Sequence, residues 1–192
     1  MVKDSFILNL YKSSKTVFST KDIAIFNNET NLNNLKSKIN YYVKNNSLLR
    51  LKNGIFSKEK YSPEEFTTKL YSPSYISLET ALAKEGVIFQ YYSTIFCISY
   101  LSREIEVNGI KIKYYKIKES ILLNKEGLVF ENNYWRAGIE RAFLDKLYFN
   151  ADAYFDNLNK IDWDHCFELV KIYENKRLEK TLNKYYKLYA DK

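Results

Sequence analysis

Asn33, Asn34, Lys36, Ser37, Lys38, Asn40, Tyr41 and Lys44 crowd one short stretch of the chain, and Arg50, Lys52 and Asn53 follow closely. Amide and hydroxyl side chains of this kind hydrogen-bond base edges, Asn pairing best with adenine, while Lys and Arg meet phosphates. They can do so only if they point away from a core. Leu32, Leu35, Ile39, Tyr42 and Val43 supply that core face: at roughly 100° per residue they form one stripe of a helix predicted over about Asn31 to Asn45. Asn33, Asn34, Ser37, Asn40, Tyr41 and Lys44 then fall on the opposite face, with Lys36 and Lys38 flanking it. A solvated helix face has the same composition, so the neighbouring elements decide between the two readings.

Those neighbours form a recognisable set. Phe6, Ile7 and Leu10 begin a short amphipathic helix, and Ser19-Thr20-Lys21-Asp22 opens a second, in the manner of a capping box, with Ile23 and Phe26 directed inward. Asn27-Asn28-Glu29 is a polar turn of the length found between the two helices of a helix-turn-helix unit. After the third helix, Leu48 to Ser57 reads as a hairpin, because Asn53-Gly54 can take the two positive φ angles of a type I′ turn. A hairpin carrying Arg50, Lys52 and Lys58 directly behind a candidate reading helix is a wing. Residues 4 to 57 are therefore expected to form a winged helix-turn-helix that binds double-stranded DNA, with an A/T-rich site expected from the many Asn and the lack of Arg on the reading face.

Charge supports the same division. Residues 1 to 60 carry 11 Lys and Arg against 4 Asp and Glu, whereas residues 61 to 192 carry 19 against 19. A basic head on a neutral body is the electrostatic footprint of a nucleic-acid-binding domain joined to one with another task. We place the boundary near residues 58 to 62, giving a DNA-binding domain over 1–60 and a second domain over 61–192. The 18 Tyr and the excess of Lys over Arg reflect A/T-rich coding, so the tyrosines are not counted as base-stacking platforms.

The body reads as mixed α and β. Ser62-Pro63-Glu64-Glu65 starts a helix, with Ser62 as cap and Glu65 three residues on. Tyr75-Ile76 leads into a helix over about Leu78 to Glu85, which Gly86 ends. Thr94 to Tyr100 suits a buried strand, and Arg103 to Val107 with Ile110 to Ile117 alternate around a second Asn-Gly, at Asn108-Gly109. Ile121-Leu122-Leu123 and Tyr134-Trp135 are read as further strands. Glu140 to Asn150 returns to helix with Ala142, Phe143, Leu144 and Leu147 inward. Two stripes close the chain: Trp163, Cys166, Phe167 and Val170, then Leu178, Leu182, Tyr185 and Tyr189, serving either as core or as a partner surface. The expected class is α+β: a winged helix-turn-helix, then a mixed α/β domain with C-terminal helices.

Catalytic material is scarce. His165 is the single histidine, which leaves a His-based triad or a multi-His metal site without parts. Adjacent helical residues such as His165 and Cys166 diverge by about 100° and do not chelate one ion together. Cys97 and Cys166 imply no disulfide framework. Five glycines form no phosphate loop. Glu104, Glu106 and Lys111 on a hairpin read as a solvated charged face. We expect no catalytic residue, metal or cofactor. With no basic-then-apolar leader and no long apolar run, the chain is expected in the cytoplasm without a membrane partner.

Three segments carry a resemblance. Arg50-Leu51-Lys52-Asn53-Gly54-Ile55-Phe56, Tyr75-Ile76-Ser77-Leu78-Glu79-Thr80-Ala81-Leu82 and Glu140-Arg141-Ala142-Phe143-Leu144-Asp145-Lys146-Leu147-Tyr148, in this order and spacing, resemble the AbiEi family, antitoxins of type IV toxin-antitoxin systems linked to phage defence. The likeness runs from the head to the helix after Trp135. It implies a winged-helix head that binds inverted repeats in its own promoter, and a body that counters a separately encoded nucleotidyltransferase-like toxin, with no enzymatic activity of its own. Two departures stand out. Gly138-Ile139 replaces the Ser/Thr-Pro frequent ahead of the Glu-Arg-Ala helix, and Lys52-Asn53-Gly54 replaces a more Arg-rich turn, which suggests a different operator preference. The alternative is a stand-alone regulator whose body senses a ligand or dimerises; a DNA-cleaving enzyme is a distant third.

Overall fold

The computed structural model describes residues 5–189; residues 1–4 and 190–192, the outermost parts of the expected head and body, lie outside the described residues. The chain is α+β and divides into two compact units, between Leu70 and Tyr71.

In the first unit, α1 (Ser5–Lys12), β1 (Val17–Ser19), α2 (Thr20–Phe26), α3 (Leu32–Lys44), β2 (Leu49–Lys52), β3 (Ile55–Ser57) and α4 (Pro63–Leu70) follow in order. The Ser19 hydroxyl accepts from the N–H of Asp22 at 3.1 Å while the Asp22 carboxylate accepts from the Ser19 N–H at 2.7 Å, the reciprocal box expected there. Asn31 caps α3, its side-chain oxygen accepting from the N–H groups of Asn33 and Asn34 at 3.0 and 3.1 Å. Phe6, Leu10, Phe18, Ile23, Leu35 and Ile39 belong to one buried cluster, each side chain contributing about 1.5–3 kcal/mol on burial.

Local pattern did not foresee β1. It pairs antiparallel with β3, placing Phe18 opposite Phe56, so the hairpin is part of a three-stranded sheet ordered β1-β3-β2. Nor is the hairpin turn the expected type I′. Gly54 alone is left-handed, at φ 76°, and the ladder shifts register between Arg50 and Lys52, so a bulge supplies the twist that the second positive φ would have given. The unit also extends past the expected boundary. Ser62 caps α4 as anticipated, accepting from the Glu65 N–H at 3.1 Å. The Glu65 carboxylate does not return that bond: it accepts from the N–H and hydroxyl of Thr16, at 2.8 and 2.6 Å, and ties α4 to the loop before β1.

The second unit comprises β4 (Ser74–Ile76), α5 (Leu78–Lys84), β5 (Thr94–Ser99), β6 (Arg103–Val107), β7 (Ile110–Lys116), α6 (Glu119–Leu123), β8 (Leu128–Glu131), β9 (Tyr134–Ala137), α7 (Ile139–Phe149), α8 (Trp163–Leu169), a 3-10 turn over Val170–Tyr173, and α9 (Lys176–Tyr189). Its sheet is ordered β6-β7-β5-β4-β9-β8, with β5/β7 and β4/β9 parallel and the other pairs antiparallel. Asn108 and Gly109 both take positive φ, 51° and 78°, as the Asn-Gly signal predicted. Asn132 and Asn133 do the same at 44° and 68° and close the β8–β9 hairpin. Tyr134-Trp135 is a strand as read, but Ile121-Leu122-Leu123 lies in a helix. A short apolar run is equally compatible with either, and here Ile121 and Leu122 are buried while Leu123 is 56% exposed, a helical alternation of faces.

The core of this unit includes Phe143, Leu144, Leu169 and Leu182, all inaccessible. At its centre lie two charges. Arg141 and Asp145, one turn apart on α7, are fully buried with Nε and Oδ1 3.7 Å apart. Asp145 accepts from Ser77 at 2.7 Å, Tyr173 at 2.7 Å and Tyr75 at 3.3 Å. Arg141 donates to the carbonyls of Ile121 and Glu126 at 2.8 and 2.9 Å, between the rings of Tyr75 and Tyr173. Gly127, at φ 72°, makes room for this: a Cβ there would come within 3.0 Å of Arg141 Cβ. Gly138 caps α7 without a side-chain bond, its N–H donating to the Gly127 carbonyl at 2.8 Å. Among the described residues no helix is long and apolar enough to cross a membrane.

Candidate nucleic-acid interface

α3 presents the candidate residues together. Leu35, Ile39 and Tyr42 are buried, and Asn33, Asn34, Lys36, Ser37, Lys38, Asn40, Tyr41 and Lys44 are all exposed. The inward stripe is narrower than read: Val43 is half-buried, and Leu32 is 63% exposed beside Asn33. Leu32 is the first residue after the cap, where the helix has no preceding turn to carry it into the core. Periodicity could not separate it from the stripe.

Arg50, Lys52 and Asn53 are exposed on the hairpin. A contact ties it to α3: the Arg50 guanidinium donates to the Asn40 side-chain oxygen at 2.7 Å, and its Cζ lies 5.2 Å from the Phe56 ring centre. One lone pair of Asn40 is thereby committed, whereas the side-chain amides of Asn33 and Asn34 make no hydrogen bond among the described residues.

The lysines divide into three groups. Lys36 and Lys44 make no ion pair among the described residues. Lys38 pairs with Glu29 at 2.9 Å; that bond, with the Asn31 N–H, holds the Glu29 carboxyl below its ordinary value. Such a solvent-facing pair is worth little. Lys58, read as part of the wing, turns inward instead, donating to the carbonyls of Ser13 and Tyr11 at 2.7 and 3.3 Å, and burial lowers its pKa. Burial would raise the Asp22 carboxyl, but hydrogen bonds from Lys69 and Ser19 overcome this and hold it well below the usual range, which locks the start of α2.

His165 and Cys166 lie on α8, and Glu104, Glu106 and Lys111 lie on the β6–β7 hairpin. Cys166 is buried, while the adjacent His165 is half-buried and its Nδ1 faces Glu140 at 3.6 Å. Cys97 is buried, and burial pushes its thiol up to about 12. Glu106 stands opposite Lys111 across the β6–β7 ladder, and Glu104 pairs with Lys113 at 3.6 Å.

Compared with known protein families and with curated proteins, the chain matches no family model and no curated sequence.

Proposed function

We propose that the first unit is a winged helix-turn-helix that binds double-stranded DNA, with α2 and α3 as the helix-turn-helix and β2–β3 as the wing. The observation that carries this reading is the uninterrupted exposed face of α3, joined to the hairpin through Arg50 and Asn40, in a segment whose basic residues outnumber acidic ones 11 to 4. Asn33 and Asn34 read bases, and Lys36, Lys44 and Lys52 meet phosphates. Together with the AbiEi resemblance, this makes the protein a repressor of its own promoter and an antitoxin whose body counters a nucleotidyltransferase-like toxin in the cytoplasm, without catalysis of its own.

Mobility shift on its promoter DNA tests the head. Asn33→Ala should cost about 1–3 kcal/mol at one base position, whereas Lys36→Ala should weaken binding to every sequence and reduce the salt slope by about 1. Equal losses on specific and random DNA for both variants would remove α3 as the reader. Co-expression with the paired toxin tests the body: Lys36→Ala with Arg50→Ala should derepress the promoter and leave protection of growth intact. Loss of protection at normal protein level would refute that division of labour.

One observation favours the alternative, a ligand-sensing regulator. A cavity of about 180 Å³ between α5 and α7 is lined by Glu79, Lys146, Tyr92 and Phe155; Glu79 Oε1 accepts from Lys146, while its buried Oε2 has no hydrogen-bond partner among the described residues. A metabolite amine that raised the melting temperature of the wild type but not of Glu79→Gln would support it.

A further inference from the structure

The two edges of the six-stranded sheet are built differently. A sheet edge leaves alternate N–H and C=O groups unpaired, and proteins commonly guard it with charge. β6, at one edge, does so with exposed Arg103, Glu104 and Glu106. β8, at the other, reads Leu128-Val129-Phe130-Glu131, with Val129 46% and Phe130 58% exposed. Its one charge is occupied, since Glu131 accepts from Arg136 at 2.9 Å and from Lys84. The bond from the Gly138 N–H to the Gly127 carbonyl sets the phase of the β8–β9 ladder, in which Val129 and Glu131 face their partners' backbone and Phe130 turns its N–H and C=O outward.

Beside this edge runs a groove. Two adjoining cavities, of about 490 and 180 Å³, share Ser72, Pro73, Leu122 and Leu123 as walls, and the smaller continues to Leu128 and Trp135 on the β8–β9 hairpin. Phe130 packs on Trp135 with ring centres 5.1 Å apart. The border is basic in a unit that is otherwise neutral: Lys116 and Lys118 line the larger cavity and Lys125 the smaller. None of the three is ion-paired among the described residues, and Glu119 is the one acid in either lining.

We propose that the outer edge of β8 and this groove dock an extended segment of a second protein, one that alternates apolar with acidic residues. Strand addition would supply main-chain hydrogen bonds through Phe130, the period of two would send every second side chain toward Leu123 and Trp135, and the lysines select acidic neighbours. The proposal goes beyond the DNA-binding reading and does not depend on it.

Random ten-residue peptides displayed on phage and selected on the full-length chain provide the probe, and enriched peptides are then synthesised and measured by fluorescence anisotropy. The selected set should alternate apolar and acidic residues. Phe130→Lys should weaken binding about tenfold or more, as loss of an aromatic anchor does. Lys118→Glu with Lys125→Glu should weaken it at low salt, and Glu104→Lys on the guarded edge should leave it unchanged. Backbone N-methylation at alternate peptide residues should abolish binding in one phase and be harmless in the other, which side-chain contact alone would not produce. Phe130 and the lysines are exposed, although Phe130 packs on Trp135 and Lys125 lies over the same ring, so circular dichroism should match the wild type and the melting temperature should fall by no more than roughly 6 °C. Failure to enrich any peptide, enrichment of basic peptides, binding indifferent to Phe130→Lys, or N-methyl effects without alternation would each overturn the proposal.

Discussion

Replacing Arg141 by Met should destabilise the second unit strongly, and more so as pH rises. Met retains much of the aliphatic volume between the Tyr75 and Tyr173 rings but removes the cation paired with Asp145, whose carboxyl is wholly buried. Three hydroxyl donors, from Ser77, Tyr173 and Tyr75, remain. They do not neutralise the charge, and the carbonyls of Ile121 and Glu126 lose their donor as well. Breaking a buried pair by removing one partner costs about 3–5 kcal/mol. In a chain of this size that corresponds to a melting temperature lower by roughly 6–20 °C. Burial already raises the Asp145 pKa in the intact protein, against the pull of Arg141 and the hydroxyls, and without Arg141 it must rise further. A group whose folded pKa lies above its unfolded one stabilises fully below the unfolded value, and that contribution is lost as pH rises through the folded pKa. The deficit of Arg141→Met relative to wild type should therefore be smallest at acid pH, where Asp145 is protonated in both folded proteins, and grow by up to about 1.4 kcal/mol per pH unit between the folded-state pKa of Asp145 in the wild type and the higher one in the variant. Urea unfolding followed by near-ultraviolet circular dichroism at several pH values measures this. Adding Asp145→Asn should recover part of the loss at high pH. A deficit below about 1 kcal/mol at neutral pH, or one that does not vary with pH, would show that the carboxylate is not held by Arg141.

Leu32 is exposed at the start of the proposed reading helix, and if that helix enters the major groove its side chain would meet a thymine methyl. If it does, replacing one thymine by uracil should weaken wild-type binding by about 0.8 kcal/mol, roughly fourfold, and leave Leu32→Ala unaffected; equal sensitivity in both proteins would dismiss the contact. Hydrogen bonds from Arg136, with Lys84, lower the Glu131 carboxyl from 4.5 to about 2. Because the folded value is the lower one, the stability it brings is present above pH 4.5 and disappears as pH falls toward 2. Glu131→Gln should thus lose stability at neutral pH but show a flatter acid limb in thermal unfolding, and parallel curves for the two proteins would contradict this.

How much of the molecule the sequence determined by itself can be read from particular residues. The start of α2 was legible because Ser19 and Asp22 are three residues apart, and α3 because Leu35, Ile39 and Tyr42 repeat at helical spacing. The turn at Asn108-Gly109 followed from steric freedom at positive φ, and the exposed face of candidate DNA-binding residues from the angle between neighbouring helical positions. All of these rest on interactions spanning a few residues. Tertiary structure decided the rest. Whether Leu32 entered the core, or Ile121 to Leu123 formed a strand or a helix, depended on what lay against them. Pairing of β1 with β3, the bond from Arg50 to Asn40, the turn of Lys58 toward Ser13 and the capture of Glu65 by Thr16 bring together residues up to 49 positions apart. The burial of Arg141 and Asp145 was equally hidden, because one Arg and one Asp a turn apart look the same on an exposed helix. The hydroxyls of Tyr75 and Ser77 at the β4–α5 junction and of Tyr173 in the 3-10 turn, with the carbonyls of Ile121 and Glu126 that Arg141 meets, make burial of that pair tolerable.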